Sequence, residues 1–212
     1  MRVLIFGGSI AQGFWDAKGG WPARIASAYI PHKLEDLAGE WTLFFNLGVS
    51  GDFTADVLAR LEPETKARQW KDEPVVIVLS AGINDAVLVN NRVKMEDHDF
   101  QELYDKLLAT ALKLTDKVLC VGLTAVDAER TNPWQYGDHE QWLNNRIDLF
   151  EDTIKRSAER AGVPFVPIYD TFRAEMAKGI DLHSDGLHPN SFGHKLIAEA
   201  VQPYLDEILR SK

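Results

Sequence analysis

Apolar positions along the chain follow two periods. Five short runs, at residues 2–6, 42–46, 75–80, 117–123 and 165–168, are mostly continuous rather than alternating. That is the pattern of strands covered on both faces of a parallel sheet. Between them the spacing turns helical. Residues 21–29 follow Gly19-Gly20. Residues 54–68 open at a threonine suited to an N-cap and contain Pro63, which predicts a break into two pieces. Residues 99–115 place leucines at 103, 107 (or 108) and 112. The clearest helix spans 138–161, with an apolar stripe of Leu143, Ile147, Phe150, Ile154 and Ala158. Asp138 and Gln141 resemble a capping box at its start, and Gly162 followed by Val163-Pro164 ends it. A last helix, 191–209, carries Leu196, Ile197, Ala200, Val201, Tyr204 and Ile208 on one face.

Strands alternating with helices predict right-handed crossovers and a mainly parallel sheet between two helical layers. Nothing reads as a linker, repeat or low-complexity stretch, so 1–212 is expected to be one domain. Residues 125–137, with Asn132-Pro133-Trp134, show neither period and follow the fourth strand. They are expected to overhang the carboxyl edge of the sheet, where open α/β folds hold ligands.

Charge and cysteine use narrow the classes. A net charge of −9 argues against nucleic acid and anionic membrane surfaces as partners. The single cysteine, Cys120, excludes an internal disulfide framework and lies in the apolar run VLCVGL, as a buried strand thiol would. The first apolar run is too short for a secretory signal, and none reaches the length of a membrane span. The expected setting is the cytoplasm.

Candidate chemistry gathers after the strands. Residues 3–13 read VLIFGGSIAQG: a buried strand enters Gly7-Gly8, then Ser9, then small residues that can start a helix. Ser9 there could be a nucleophile, a phosphate-binding hydroxyl or a helix cap. After the second strand, NLGVSGD sets Gly48 and Gly51 three apart, which suits either exposed N–H groups facing an oxyanion or a plain tight turn. After the third, SAGIND offers the Asn84 amide as a donor, or as a turn former. Near the end, HSDGLHPNSFGH puts Asp185 three residues before His188. In a turn that spacing lets a carboxylate fix an imidazole, as acyl transfer requires, and Pro189 biases His188 towards an extended loop. His183, Asp185, His188 and His194 could also be metal ligands, although structural zinc sites favour tighter, thiolate-containing spacing. A phosphate-loop reading of GGSIAQG lacks both the G-x-G-x-x-G spacing and a G-K-[ST] ending, and it leaves Asp185 and His188 unexplained.

Together these four blocks, GGS, N-x-G-x-x-G, G-x-N-D and D-x-x-H-P in that order, resemble the SGNH (GDSL-type) hydrolase family over the whole chain. The resemblance implies an α/β fold: a three-layer α/β/α sandwich with a flavodoxin-like parallel sheet of five strands ordered 2-1-3-4-5. It implies a serine esterase working through an acyl-enzyme, with Ser9, Asp185 and His188 as the triad. Ser9 and Gly51 (backbone N–H) and Asn84 (side chain) would form the oxyanion hole. No metal or organic cofactor is implied. The pattern is broken once, because the family's Gly-Asp-Ser reads Gly7-Gly8-Ser9 here. The expected substrate is a small-molecule ester with a short acyl group, such as an acetyl ester of a carbohydrate or small alcohol. Lysophospholipase and thioesterase activities, or a non-catalytic nucleotide- or carbohydrate-binding role, are the alternatives. Phe14, Trp15, Phe53 and Trp134, with Trp21 and Tyr136, are candidate pocket walls that could equally belong to core or rim.

Overall fold

The computed structural model describes residues 1–30 and 41–210. Five parallel strands form the central sheet: β1 (Arg2–Gly7), β2 (Leu43–Gly48), β3 (Val75–Ser80), β6 (Lys117–Val121) and β8 (Phe165–Val166), in the order β2-β1-β3-β6-β8. Among sheet strands counted along the chain this is 2-1-3-4-5, as expected. Val3–Phe6 and Val76–Leu79 lie in the core, which is why those runs show no polar alternation. Edge strand β2 keeps one side half open, and Leu43 is exposed.

Helices cover both faces. On one side α3 (Thr54–Arg68), α4 (Asp97–Leu114) and α6 (Asn144–Ala161) pack in sequence. On the other lie α1 (Ser9–Gln12), α2 (Gly20–Ala28) and α8 (Ser191–Arg210). Two short helices, α5 (Ala128–Thr131) and α7 (Tyr169–Met176), follow β6 and β8. A small antiparallel sheet, β5-β4-β7, is built from β4 (Leu88–Val89), β5 (Arg92–Val93) and β7 (Glu140–Gln141). Its segments are too short to carry a readable period.

Three local expectations are corrected. Pro63 does not divide α3. Pro63 and Ala59, whose carbonyl loses its partner, both face solvent, while Val57, Leu61 and Thr65 pin the other face to the sheet. Thr54 is not the N-cap. Phe53 occupies that position, its N–H donates to Asp56 Oδ2 (2.9 Å), and the Thr54 hydroxyl is spent on Asp85. The helix expected from residue 138 starts at Asn144. Asp138 is fully exposed and has His139 at 3.9 Å rather than a helix end, Gln141 bonds Asn91 and Asn132, and Glu140–Gln141 pairs with β4. Asn144 fixes the true start by exchanging two hydrogen bonds with the Val126 backbone (2.8 and 2.9 Å).

Candidate functional site

Strand register delivers the first group. Gly7 lies opposite Gly48 and Ser80, so β1, β2 and β3 end together, and Ser9 stands just beyond that edge as the first residue of α1. Far along the chain, residues 182–190 close into a tight loop. Ser184 N–H donates to His188 O (2.9 Å), and Asn190 N–H donates to Leu182 O (2.8 Å). Asn190 Oδ1 then accepts from the N–H groups of Phe192 and Gly193, capping α8. This loop turns Asp185 and His188 to one side and aims them at Ser9.

The resulting chain is continuous. Ser9 Oγ lies 2.9 Å from His188 Nε2, and His188 Nδ1 lies 2.7 Å from Asp185 Oδ2. An ionised carboxylate can only accept, so Nδ1 carries the proton and Nε2 is left to receive one from Ser9. All three residues are buried. Burial pulls the Asp185 carboxyl upward, but the bond from the His188 ring and the N–H groups of His188 (2.7 Å) and Leu187 (3.0 Å) outweigh it. They hold the group below the ordinary carboxylate range.

The opposite wall carries donors. Asn84 follows β3, and its Nδ2 donates to Asp52 O (2.9 Å), which ties the amide to the 49–52 loop. That loop holds Gly51 at φ +86°, a left-handed conformation that favours glycine. Its neighbours are satisfied, Ser50 N–H by Gln12 Oε1 (2.8 Å) and Asp52 N–H by Val49 O (3.1 Å). Among the described residues the Gly51 N–H has no acceptor. Gly8 closes the wall: a Cβ there would stand 3.2 Å from Asn84 Nδ2 and 3.4 Å from Asp52 O. The break in the family pattern therefore sits against the amide. Beneath, Asp85 accepts from the Thr54 backbone N–H (3.0 Å) and hydroxyl (2.8 Å), and burial pushes its carboxyl up to about 6.

Aromatic rings frame His188. Phe14 lies 4.9 Å from it between ring centroids and Trp134 lies 5.8 Å away, so the 125–137 stretch does reach the site. Tyr136 is exposed and meets Trp134 edge-on at 5.6 Å. Trp15 is more than a wall: its indole Nε1–H donates to Asp185 Oδ2 (3.0 Å). Phe53 packs half-buried against the core, and Trp21 is wholly buried.

The model of the GDSL-like lipase/acylhydrolase family matches residues 5–196. The chain belongs to that family. It is an ester-hydrolysing enzyme. No curated protein sequence matches it. Solved structures similar to it include LAE5, an alpha/beta hydrolase enzyme from the metagenome of Lake Arreo, Spain (20% identity over 99% of this chain and 96% of that one, TM-score 0.71). A lipase/acylhydrolase from Enterococcus faecalis is similar at 22% identity over 97% and 95%, TM-score 0.71. Axe2, an acetylxylan esterase from Geobacillus stearothermophilus, is similar at 21% over 98% and 93%, TM-score 0.69. At such identities the likeness speaks for the fold.

Within this GDSL-like enzyme the other two histidines have separate uses. His183 Nε2 donates to Ala125 O (2.8 Å), and His194, buried in α8, lies 3.3 Å from Phe14 O. Burial pushes both rings below the ordinary imidazole value and keeps them neutral. Among the described residues no three His, Cys, Asp or Glu gather to hold a metal, and no helix is long and apolar enough to cross a membrane. Several organising residues carry no signal in sequence. Arg60 donates to Asp52 Oδ2 (2.7 Å) and to Gly7 O (3.1 Å), bracing the 49–52 loop against the end of β1. Asp16 accepts from Gly20 N–H (3.1 Å) and Arg24 (2.8 Å). Trp15, between these anchors, is held at φ +65°, a conformation that costs a bulky residue about 1–3 kcal/mol.

Proposed function

We propose that this enzyme is a serine esterase for short-acyl esters. Ser9 is the nucleophile, His188 its base and Asp185 the orienting carboxylate. The observation that carries this is the unbroken hydrogen-bonded chain from Ser9 Oγ through His188 to Asp185. Ser9 Oγ attacks the ester carbonyl while His188 Nε2 takes its proton. The same proton passes to the leaving alkoxide as the tetrahedral adduct collapses to the acyl-enzyme. Water then attacks with His188 again as base, releasing the acid and restoring Ser9. The developing oxyanion would be met by the Ser9 and Gly51 backbone N–H groups and the Asn84 amide. The unpartnered Gly51 N–H and the anchoring of Asn84 on the same loop support that assignment.

The short-acyl preference rests on the surroundings. Trp15 and Tyr136 are exposed, and Phe14 and Trp134 lie against His188, so aromatic ring faces border the reacting groups. Such faces suit a sugar or small alcohol on the leaving-group side. The likeness to Axe2, an acetylxylan esterase, is consistent with this reading. The test is a panel of p-nitrophenyl esters from acetyl to palmitoyl, with acetylated sugars and an acyl thioester, run beside Ser9→Ala. Turnover greatest on acetyl esters and abolished in Ser9→Ala is expected. Greatest turnover on long chains or thioesters would overturn the substrate class, and an active Ser9→Ala would overturn the nucleophile.

A further inference from the structure

We propose that Trp15 is a positioning residue of this site, its indole N–H completing the hydrogen-bond shell of Asp185 and thereby setting the orientation and proton affinity of His188. This rests on the reading of Ser9, His188 and Asp185 as a triad. A carboxylate offers about four lone-pair positions, and every one at Asp185 is filled by an N–H. Oδ1 takes the backbone N–H groups of Leu187 and His188, and Oδ2 takes His188 Nδ1–H and Trp15 Nε1–H. Three of those donors come from the loop that carries Asp185 itself. Trp15 is the fourth and comes from the loop after Ser9, so it alone spans from the nucleophile's segment to the carboxylate.

Packing does not explain its presence. The side chain is 59% exposed, so its ring contributes little to the core, yet its backbone is held in the left-handed region, at φ +65°. Anchors on both sides impose that conformation. Phe14 N–H donates to Ser9 O (3.0 Å), and Phe14 O faces His194 from α8. Asp16 is gripped by Gly20 N–H and Arg24, and Arg24 in turn bonds Ser191 at the start of α8 (2.8 Å). A strained, exposed tryptophan that spends its one donor on the triad carboxylate has its reason in the site.

The donor acts through charge and through angle. Sharing Oδ2 with Trp15 spreads the carboxylate charge that would otherwise concentrate on His188 Nδ1–H, and it stops the carboxylate rotating about its Cβ–Cγ bond. Trp15→Phe keeps a ring and removes the donor. Asp185 then favours the protonated imidazole more strongly, so the acid limb of kcat/KM moves to higher pH, by about half a unit. Looser orientation lowers kcat roughly tenfold. His194 on α8, with Asp16 and Arg24 behind it, also faces this region, and all three remain in the variant.

The experiment is the pH profile of p-nitrophenyl acetate hydrolysis for wild type, Trp15→Phe and Ser9→Ala. Thermal melts are run alongside, together with the indole N–H resonance that disappears in Trp15→Phe, followed against pH in wild type. A displaced acid limb at unchanged melting temperature, and an indole signal that titrates with the wild-type limb, are expected. If Ser9→Ala is inactive but the limb of Trp15→Phe stays at the wild-type pH, Trp15 is only a wall, whatever happens to KM, and the proposal falls alone. An active Ser9→Ala removes the triad reading instead.

Discussion

Glu151 offers the sharpest test of how the carboxyl edge of the sheet is held. This carboxylate sits on α6, buried, and accepts from three backbone N–H groups: Leu123 beyond β6, and Ile168 (3.2 Å) and Tyr169 (3.3 Å) beyond β8. Burial pushes its carboxyl up, and the three N–H bonds only partly offset this, leaving it at about 7 against an ordinary 4.5. The folded protein therefore binds a proton more readily than the unfolded chain between those values. Stability from this group is fully present below about pH 4.5 and is lost as pH rises through about 7. Each pH unit in that window is worth about 1.4 kcal/mol, so the full loss is about 3 kcal/mol. Glu151→Gln keeps the shape and removes the titration. Its amide NH2 faces at least one N–H donor, so the variant is less stable at low pH, where the protonated carboxyl is at its best. Urea unfolding of both proteins from pH 4 to 8 checks this: the wild-type advantage should shrink by about 3 kcal/mol across the range. An advantage that stays flat, or grows with pH, would refute the reasoning.

Other outcomes follow from the proposed oxyanion donors and the proposed triad. Asn84→Ala should lower kcat on the order of 10²–10³-fold with KM nearly unchanged, by steady-state kinetics. An unchanged kcat removes Asn84 from the donor set. Gly8→Ala sets a Cβ 3.2 Å from Asn84 Nδ2 and must displace that amide, so kcat should fall ~10-fold at little cost in melting temperature. Ser9→Ala and His188→Ala should each abolish measurable turnover, and the double variant should lose little more, because the pair works as a unit. Additive losses would break that pairing.

How much of this was legible in sequence depends on the physics of each feature. Continuous apolar runs mark strands buried on both faces, so β1, β3 and β6 stood out. Edge strand β2 and the two-residue β8 were placed but not bounded, because pairing rather than hydropathy sets their ends. Pro63 reads as a breaker, yet it lies within a continuous helix whose buried face outweighs one lost bond. Ser9, Asp185 and His188 could be singled out because a short turn fixes the spacing of Asp185 and His188 and Ser9 follows a strand end, and the structure brings the three within hydrogen-bond reach. Trp15 could be named only as an aromatic near the site. Its bond to Asp185 joins residues 170 positions apart, and no local pattern encodes that distance. Glu151 carried no signal at all. On the helix it reads as one more charged position, and only the convergence of β6 and β8 above it gives it three partners.

One device recurs around the carboxyl edge of the sheet. Each loop that contributes to the site is tied down by a buried polar side chain reaching from a neighbouring element. Asp85 grips Thr54 behind the Gly51 loop, Glu151 joins the exits of β6 and β8, His183 grips Ala125, and His194 faces Phe14 O. None of these groups hydrogen-bonds Ser9 Oγ; together they tie down segments that surround it. These ties hold the edge that sets Ser9, His188 and Asp185 at 2.9 and 2.7 Å from one another along the chain. In the proposed mechanism, donors already in place would need no reorganisation as charge develops on the substrate oxygen, the usual source of most of the rate in acyl transfer. The buried acids that support it, Asp85 and Glu151, are also those whose ionisation is hardest. The scaffold thus accepts a loss of stability towards neutral pH.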